Sequence, residues 1–91
     1  MELKWTGKAL SDLARLYDFL VLVNPSAATR VVKSLTTAPS GLLVNPRIGE
    51  KFEEFEPREV RRILIGRYEM RYEIKGPVII ILRIWHTRED R

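Results

Sequence analysis

Residues 58–91 read REVRRILIGRYEMRYEIKGPVIIILRIWHTREDR, and this stretch decides the fold of the chain. Gly66 and the pair Gly76-Pro77 divide it into three runs that are rich in β-branched and aromatic residues. Short connections between such runs predict an antiparallel meander of three strands. The predicted strands are Glu59 to Ile65, Arg67 to Lys75 and Val78 to Trp85.

The middle run alternates between apolar and charged side chains, with the period of two that marks a half-buried strand. Its apolar face consists of Tyr68, Met70, Tyr72 and Ile74, and its charged face of Arg67, Glu69, Arg71 and Glu73. The last run is apolar on both faces from Val78 to Leu82, which is typical of an interior strand. Strict alternation predicts that Arg83 lies on the open face of the sheet, together with Ile81 and Trp85.

The first half of the chain follows a helical repeat instead. Apolar residues recur at steps of three and four after Thr6, which predicts an amphipathic helix with Thr6 as its N-cap. The predicted core stripe is Ala9, Leu13, Leu16, Leu20 and Val23, whereas Lys8, Asp12, Arg15 and Asp18 fall outside it. Asn24-Pro25 is predicted to end this helix and to start a second one, from Pro25 to about Thr37, that breaks before Pro39.

The remaining segments complete the predicted fold. Met1 to Trp5 is predicted to be a short strand, Ser40 to Val44 a short terminal helix, and the acidic segment Glu50 to Pro57 a connection held by Phe52 and Phe55. The element order is therefore β-α-α-β-β-β. It predicts an α+β fold of two layers, in which an N-terminal strand and a helical hairpin pack on a small antiparallel sheet. The 91 residues are predicted to form one domain, 1–91.

The composition excludes several classes of protein. The chain has no cysteine, which excludes disulfides and thiolate metal sites, and its single histidine argues against a histidine metal site. No secretory signal pattern and no apolar stretch of about 18 residues is present, so we expect a cytoplasmic protein without a membrane span. The net charge of +4 is compatible with an acidic partner, either nucleic acid or protein, but also with a surface that is basic only for solubility.

Short motifs occur along the whole chain in a characteristic order. They are Thr6 with Ala9-Leu10 and Asp12-Leu13, Asn24-Pro25 with Ala27-Ala28, Pro46-Arg47-Ile48-Gly49, Arg58-Glu59-Val60-Arg61-Arg62, Gly66-Arg67-Tyr68, and Leu82-Arg83-Ile84-Trp85-His86-Thr87-Arg88. In this order the motifs resemble the ParE/RelE toxin superfamily. The resemblance implies the toxin half of a bacterial type II toxin-antitoxin pair, which arrests growth when expressed alone and is neutralised by a cognate antitoxin in a hetero-oligomer. It implies no cofactor and no metal.

The superfamily contains ribosome-dependent mRNA endoribonucleases of the RelE type and DNA gyrase poisons of the ParE type. RNA cleavage by the 2′-hydroxyl requires a base, an acid and cations that stabilise the charged phosphate. By resemblance, a ribonuclease would use His86, Arg88, Arg71 and Lys51. This set is incomplete, because Glu69 follows Tyr68 where an arginine is expected, acidic residues surround Lys51, and the sequence ends at Arg91 without a terminal tyrosine.

The resemblance therefore favours a gyrase poison over the ribonuclease, which remains the alternative. The predicted target-binding residues are Arg67, Arg71, Arg83, His86 and Arg88. If Arg83 and Arg88 are surface cations of this site, replacing either by alanine abolishes toxicity and leaves the fold intact. If they anchor the sheet edge instead, their loss lowers the melting temperature.

Simpler interpretations apply to the same residues. His86 could be a strand-end residue that only hydrogen-bonds, and the charged face of the middle strand could be a solvated ladder of ion pairs. Trp5 and Trp85 are expected to pack in the core or at the sheet edge. A plain nucleic-acid-binding module is a third functional class, but Tyr68 and Tyr72 share the apolar face, so no aromatics alternate with the arginines on the open face.

Overall fold

A computed structural model describes residues 1–89 of the chain, and in it two helices cover one face of a five-stranded sheet. The elements are β1 (Glu2–Trp5), α1 (Gly7–Val23), α2 (Pro25–Thr37), β2 (Glu50–Lys51), β3 (Glu59–Ile65), β4 (Tyr68–Lys75) and β5 (Val78–His86). Two short 3-10 helices, Ala38–Leu43 and Glu53–Phe55, lie in the connections. The predicted α+β class and two-layer architecture are confirmed. No helix among the described residues is long and apolar enough to cross a membrane.

Local hydrogen bonds shape the helical hairpin as the sequence predicts. The Thr6 hydroxyl accepts the Ala9 N–H at 3.0 Å and so caps α1. Asn24 serves both helices, because its N–H donates to Leu20 O at 2.8 Å and its Oδ1 accepts the Ala27 N–H at 3.1 Å. A single asparagine thus ends α1 and begins α2, which folds the helices into a hairpin.

The sheet has the strand order β1-β5-β4-β3-β2, so β5 is an interior strand as predicted. Strands β2 to β5 pair antiparallel, and Gly66 and Gly76 form their tight turns with φ of 60°. Strand β1, however, pairs parallel to β5, which makes the sheet mixed. The helical hairpin that connects β1 to the meander carries the chain back over the sheet, and such a crossover is what parallel pairing requires.

A β-bulge in β5 corrects the predicted alternation. Arg71 of β4 lies opposite Arg83, but the next residue, Tyr72, lies opposite Ile81, so Leu82 is an extra residue in β5. Ile81 is consequently buried in the core beneath the helices, and the prediction that it shares the open face with Trp85 is wrong. Trp85 contacts Arg71 of the charged face of β4.

The α1 stripe also differs from its prediction at two positions. Val23 is 73% exposed, so the core stripe ends before it. Asp12 is only 4% exposed and, with Ala9 and Leu16, is one of the three buried residues of α1. The α1 residues that face the sheet therefore include a carboxylate, and a buried carboxylate requires hydrogen-bonding partners.

Candidate functional site

Three arginines form a row across the face of the sheet opposite the helices, which we call the open face. Arg62 of β3 lies directly opposite Arg71 of β4, and Arg71 lies directly opposite Arg83 of β5. Like charges in direct cross-strand positions destabilise a sheet. The row therefore requires nearby anions.

Glu69 supplies one of these anions. Its side chain is 1% exposed, and its carboxylate lies 3.1 Å from Arg62 and 3.5 Å from Arg71. From the sequence, Glu69 stands directly after Tyr68, where a ribonuclease of this superfamily is expected to have an arginine. In the fold it lies between two arginines and offsets their charge, so the open face has mixed charge instead of a continuous cationic surface.

Aromatic rings surround Arg71. Its guanidinium carbon lies 4.4 Å from the ring centroid of Phe52, 5.7 Å from that of Phe55 and 4.8 Å from that of Trp85. Phe52 and Phe55 therefore hold the acidic connection on the sheet, as predicted. The cavity at this point has a volume of about 360 Å³, and Phe52, Arg62, Glu69, Arg71 and Trp85 line it.

Lys51 lies apart from this cavity lining and is held by an acid. Its Nζ lies 2.7 Å from Glu56, and this hydrogen bond raises the pKa of Lys51 above its ordinary value. The ion pair with Glu56 thus stabilises the charged form of Lys51 and places its ammonium group against an acid.

The other candidate residues gather at the end of the sheet where β5 finishes. The Thr87 N–H donates to Arg67 O at 2.8 Å, and the Arg88 N–H donates to His86 Nδ1 at 3.1 Å. We call residues His86 to Glu89 the tail turn. Within residues 1–89, the side chains of Arg67 and Arg88 form no ion pair, and both residues are exposed.

An end groove separates the tail turn from α1. It has a volume of about 560 Å³, with walls formed by Arg15, Leu16, Phe19, Leu20, Tyr68, His86, Arg88 and Glu89. The imidazole of His86 packs edge to face on Tyr68, with 5.2 Å between the ring centroids. His86 thus points to the helix-covered side of the sheet, whereas Arg71 is on the open face.

A buried acid that the sequence analysis places outside the core connects α1 to β5. Asp12 accepts hydrogen bonds from Arg83 Nε at 2.8 Å, from Arg83 Nη2 at 3.1 Å and from the Ile84 N–H at 2.9 Å. Burial raises the pKa of Asp12, but the hydrogen bonds from Arg83 and Ile84 outweigh it and bring the pKa below its ordinary value. Strand β1 pairs with β5 only up to Ile81, so it offers no main-chain acceptor to Ile84. The Asp12 carboxylate accepts the Ile84 N–H in its place.

The sequence contains a signal for this acid. Ala9, Asp12 and Leu16 are separated by three and four residues, which places Asp12 on the buried face of α1. Because Asp12 is charged, a stripe defined by apolar residues alone does not include it. Arg15 and Glu89, which contact each other in the fold, lie 74 residues apart in the sequence and give no comparable signal.

The five predicted target-binding residues therefore form two groups. Arg67, His86 and Arg88 lie at the tail end of the sheet, whereas Arg71 and Arg83 belong to the arginine row of the open face. The four residues that a ribonuclease would use are not brought into one cavity. His86 and Arg88 line the end groove, Arg71 lines the open-face cavity, and Lys51 lines neither.

Comparisons with known proteins agree with this fold. Residues 3–91 match the family model described as the ParE toxin of the type II toxin-antitoxin system parDE. The chain belongs to the ParE toxin family. It is 31% identical over 86 residues to Toxin RelE2 from Caulobacter vibrioides, with 94% of each chain covered. It also superposes on a chain of the chromosomal ParDE TA system from P. aeruginosa with a TM-score of 0.81 and 31% identity, covering 94% of this chain and 95% of that one.

Membership of the ParE family makes this chain the toxin of a type II toxin-antitoxin pair, with an antitoxin as its partner. The chain is similar both to a toxin named RelE2 and to a chain of a ParDE system. Family membership alone therefore does not distinguish gyrase from mRNA as the target of the toxin.

Arg83 and Arg88 of this ParE-family toxin are expected to respond differently to alanine substitution. Arg83 is bound to the buried Asp12, so we expect Arg83→Ala to cost about 1–2 kcal/mol and to lower the melting temperature by about 5–10 °C. Arg88 is exposed and forms no ion pair within residues 1–89, so Arg88→Ala should reduce toxicity at an unchanged melting temperature. Thermal unfolding and growth after induction, measured on both variants, check this. Equal melting temperatures for the two variants would contradict the anchoring role of Arg83.

Proposed function

We propose that this ParE-family toxin poisons DNA gyrase and that the tail end of the sheet is the surface that contacts the target. The observation that carries the proposal is the separation of the ribonuclease candidates. His86 is on the helix-covered side of the sheet, and Arg71 is on the open face beneath Phe52. One scissile phosphate cannot contact an acid or base and a stabilising cation that lie on opposite sides of a sheet.

The charges of the open face support the same choice. A ribonuclease stabilises the charge that develops on the phosphate with cations that are free to approach it. Arg62 and Arg71 are bound to the buried Glu69, and Arg83 is bound to Asp12. By contrast, Arg67 and Arg88 extend from the tail end as exposed cations, which suits binding to an acidic macromolecular surface.

The antitoxin is proposed to cover the end groove. Phe19, Leu22 and Val23 of α1 are 58%, 87% and 73% exposed, and Leu16 and Leu20 continue this apolar surface into the groove. Exposed apolar patches of this kind mark protein–protein contacts. An antitoxin segment in the groove would lie beside Arg88 and would block the surface that contacts the target, which accounts for neutralisation.

Two assays on purified protein test the proposal. We expect the chain to inhibit supercoiling of relaxed plasmid by gyrase and to leave cleaved DNA linked to the enzyme, because a poison stabilises the cleaved state. Arg67→Ala and Arg88→Ala should weaken both effects by about tenfold each, if each cation contributes about 1.4 kcal/mol to target binding. Addition of the antitoxin should abolish both effects.

Translating ribosomes provide the matching assay for the alternative. We expect no cleavage of mRNA by the chain on ribosomes. Codon-periodic cleavage that disappears in His86→Ala, together with unchanged gyrase activity, would overturn the proposal and establish the ribonuclease. Arg47→Ala is a suitable control in both assays, because Arg47 pairs with Glu59, away from the tail end.

A further inference from the structure

A single guanidinium fixes the tail turn to α1. Arg15 Nη1 donates to both carboxylate oxygens of Glu89, at 3.0 and 2.9 Å. Its Nη2 donates to Asp12 and to the main-chain oxygen of Ile84, each at 3.4 Å. Charge-assisted contacts between arginine and carboxylate are the stronger class of hydrogen bonds. Arg15 thus connects Glu89 to Asp12, which is itself hydrogen bonded to the edge of β5.

Glu89 also orders the tail turn from within. Its Oε1 accepts the His86 N–H at 3.2 Å, and its own N–H donates to His86 O at 2.9 Å. The Arg88 N–H donates to His86 Nδ1. The orientation of Arg88 therefore depends on the position of Glu89, and Arg15 determines that position.

We propose that Arg15, supported by Asp12, is a positioning residue that holds the tail turn in the orientation in which His86 and Arg88 meet the target. The inference rests on the proposed role of the tail end in target binding, but it holds for either target. A turn that is ordered before binding loses less conformational entropy when it binds. The Arg15–Glu89 pair contributes to toxicity through this order, without contact between Arg15 and the target.

The pair can be broken from either side. Arg15→Ala removes the guanidinium, and Glu89→Gln keeps the hydrogen-bonding shape of the side chain but removes its charge. We expect each variant to accelerate hydrogen exchange of the Arg88 and Glu89 amides by about fivefold to tenfold. We also expect each to raise about tenfold the inducer concentration needed for growth arrest.

Nonadditivity distinguishes positioning from a general loss of stability. If both residues act through one contact, the double variant Arg15→Ala/Glu89→Gln should be no worse than either single variant. Arg15→Lys, which keeps the charge but not the two nitrogens that contact Glu89 and Asp12 separately, should restore part of the toxicity. Arg47→Ala removes another exposed arginine–glutamate pair and should leave both readouts unchanged.

Full toxicity of Arg15→Ala despite faster amide exchange would overturn the positioning role. Unchanged amide exchange in Arg15→Ala would show that the Arg15–Glu89 contact does not order the tail turn. Amide exchange and the inducer concentration for growth arrest can both be measured whichever target the toxin has. A wild-type chain that arrests growth without acting on gyrase would therefore refute the proposed target, and the comparison of variants would still decide the role of Arg15.

Discussion

Alanine at position 49 is expected to destabilise the fold by about 2–4 kcal/mol and to lower the melting temperature by at least about 10 °C. Gly49 lies against β3 and β4 where no side chain fits. A Cβ atom there would lie 2.5 Å from the main-chain oxygen of Arg62 and 2.6 Å from the hydroxyl of Tyr72. The Arg62 oxygen belongs to a paired strand and cannot move away at low cost.

The same position contains a buried hydrogen-bond network. The Tyr72 hydroxyl donates to Pro46 O at 2.6 Å and accepts the Gly49 N–H at 3.1 Å. A methyl group at position 49 would push the ring away and break both bonds. This accounts for the glycine at the end of the Pro46-Arg47-Ile48-Gly49 motif, since only a residue without a side chain permits this approach.

Chemical and thermal unfolding of Gly49→Ala check the prediction. Gly7→Ala is the matched control, because a Cβ atom at position 7 meets nothing within 4 Å and alanine favours a helix. Tyr72→Phe in the Gly49→Ala background should recover only part of the loss, since the clash with the Arg62 oxygen remains. A Gly49→Ala chain as stable as the wild type would refute the close approach.

Replacing Asp12 by alanine is expected to cost about 2–4 kcal/mol. The substitution leaves the Ile84 N–H without its acceptor and Arg83 without its ion-pair partner. It also removes the Asp12 carboxylate from Arg15, so the order of the tail turn should decrease together with the stability. Asp18→Ala provides the control on the same helix, because Asp18 is exposed and off the buried face.

Asp12 should also contribute to the pH dependence of stability. Its pKa is lower in the folded chain than in the unfolded chain, so its contribution is complete above the unfolded value of about 4. That contribution is lost as the pH falls from about 4 through the folded pKa. We expect the stability difference between the wild type and Asp12→Asn to shrink over this range in urea titrations. A difference that is constant from neutral pH to below 3 would contradict this assignment.

The element pattern of this chain could be predicted from sequence because its determinants are local. Thr6 and Asn24 cap the helices with their own side chains, Gly66 and Gly76 permit the turns, and β4 alternates with a period of two. Each signal acts over a few residues, so the helices, the meander and the two-layer fold follow from it. The parallel pairing of β1 with β5 could not be predicted from the sequence, because no local signal specifies which strand a distant strand will pair with.

The sequence also identified the residue types of the candidate site but not their grouping. Periodicity placed Arg71 on the charged face correctly, yet the bulge at Leu82 changed the alternation of β5 and buried Ile81. The bulge depends on the packing of two strands against each other and against the N-terminus of α1. The Thr6 hydroxyl, at that N-terminus, donates to Leu82 O at 3.0 Å. The sequence of β5 by itself therefore does not predict the bulge.

The connections among charges were decided by tertiary structure alone. Asp12 and Arg15 interact with residues 83, 84 and 89, and Glu69 is buried between arginines of two strands. Periodicity along one element predicts which face a side chain is on. The partner of a charge is set by the distance between elements far apart in the chain, and that distance exists only after the helical hairpin has packed on the sheet.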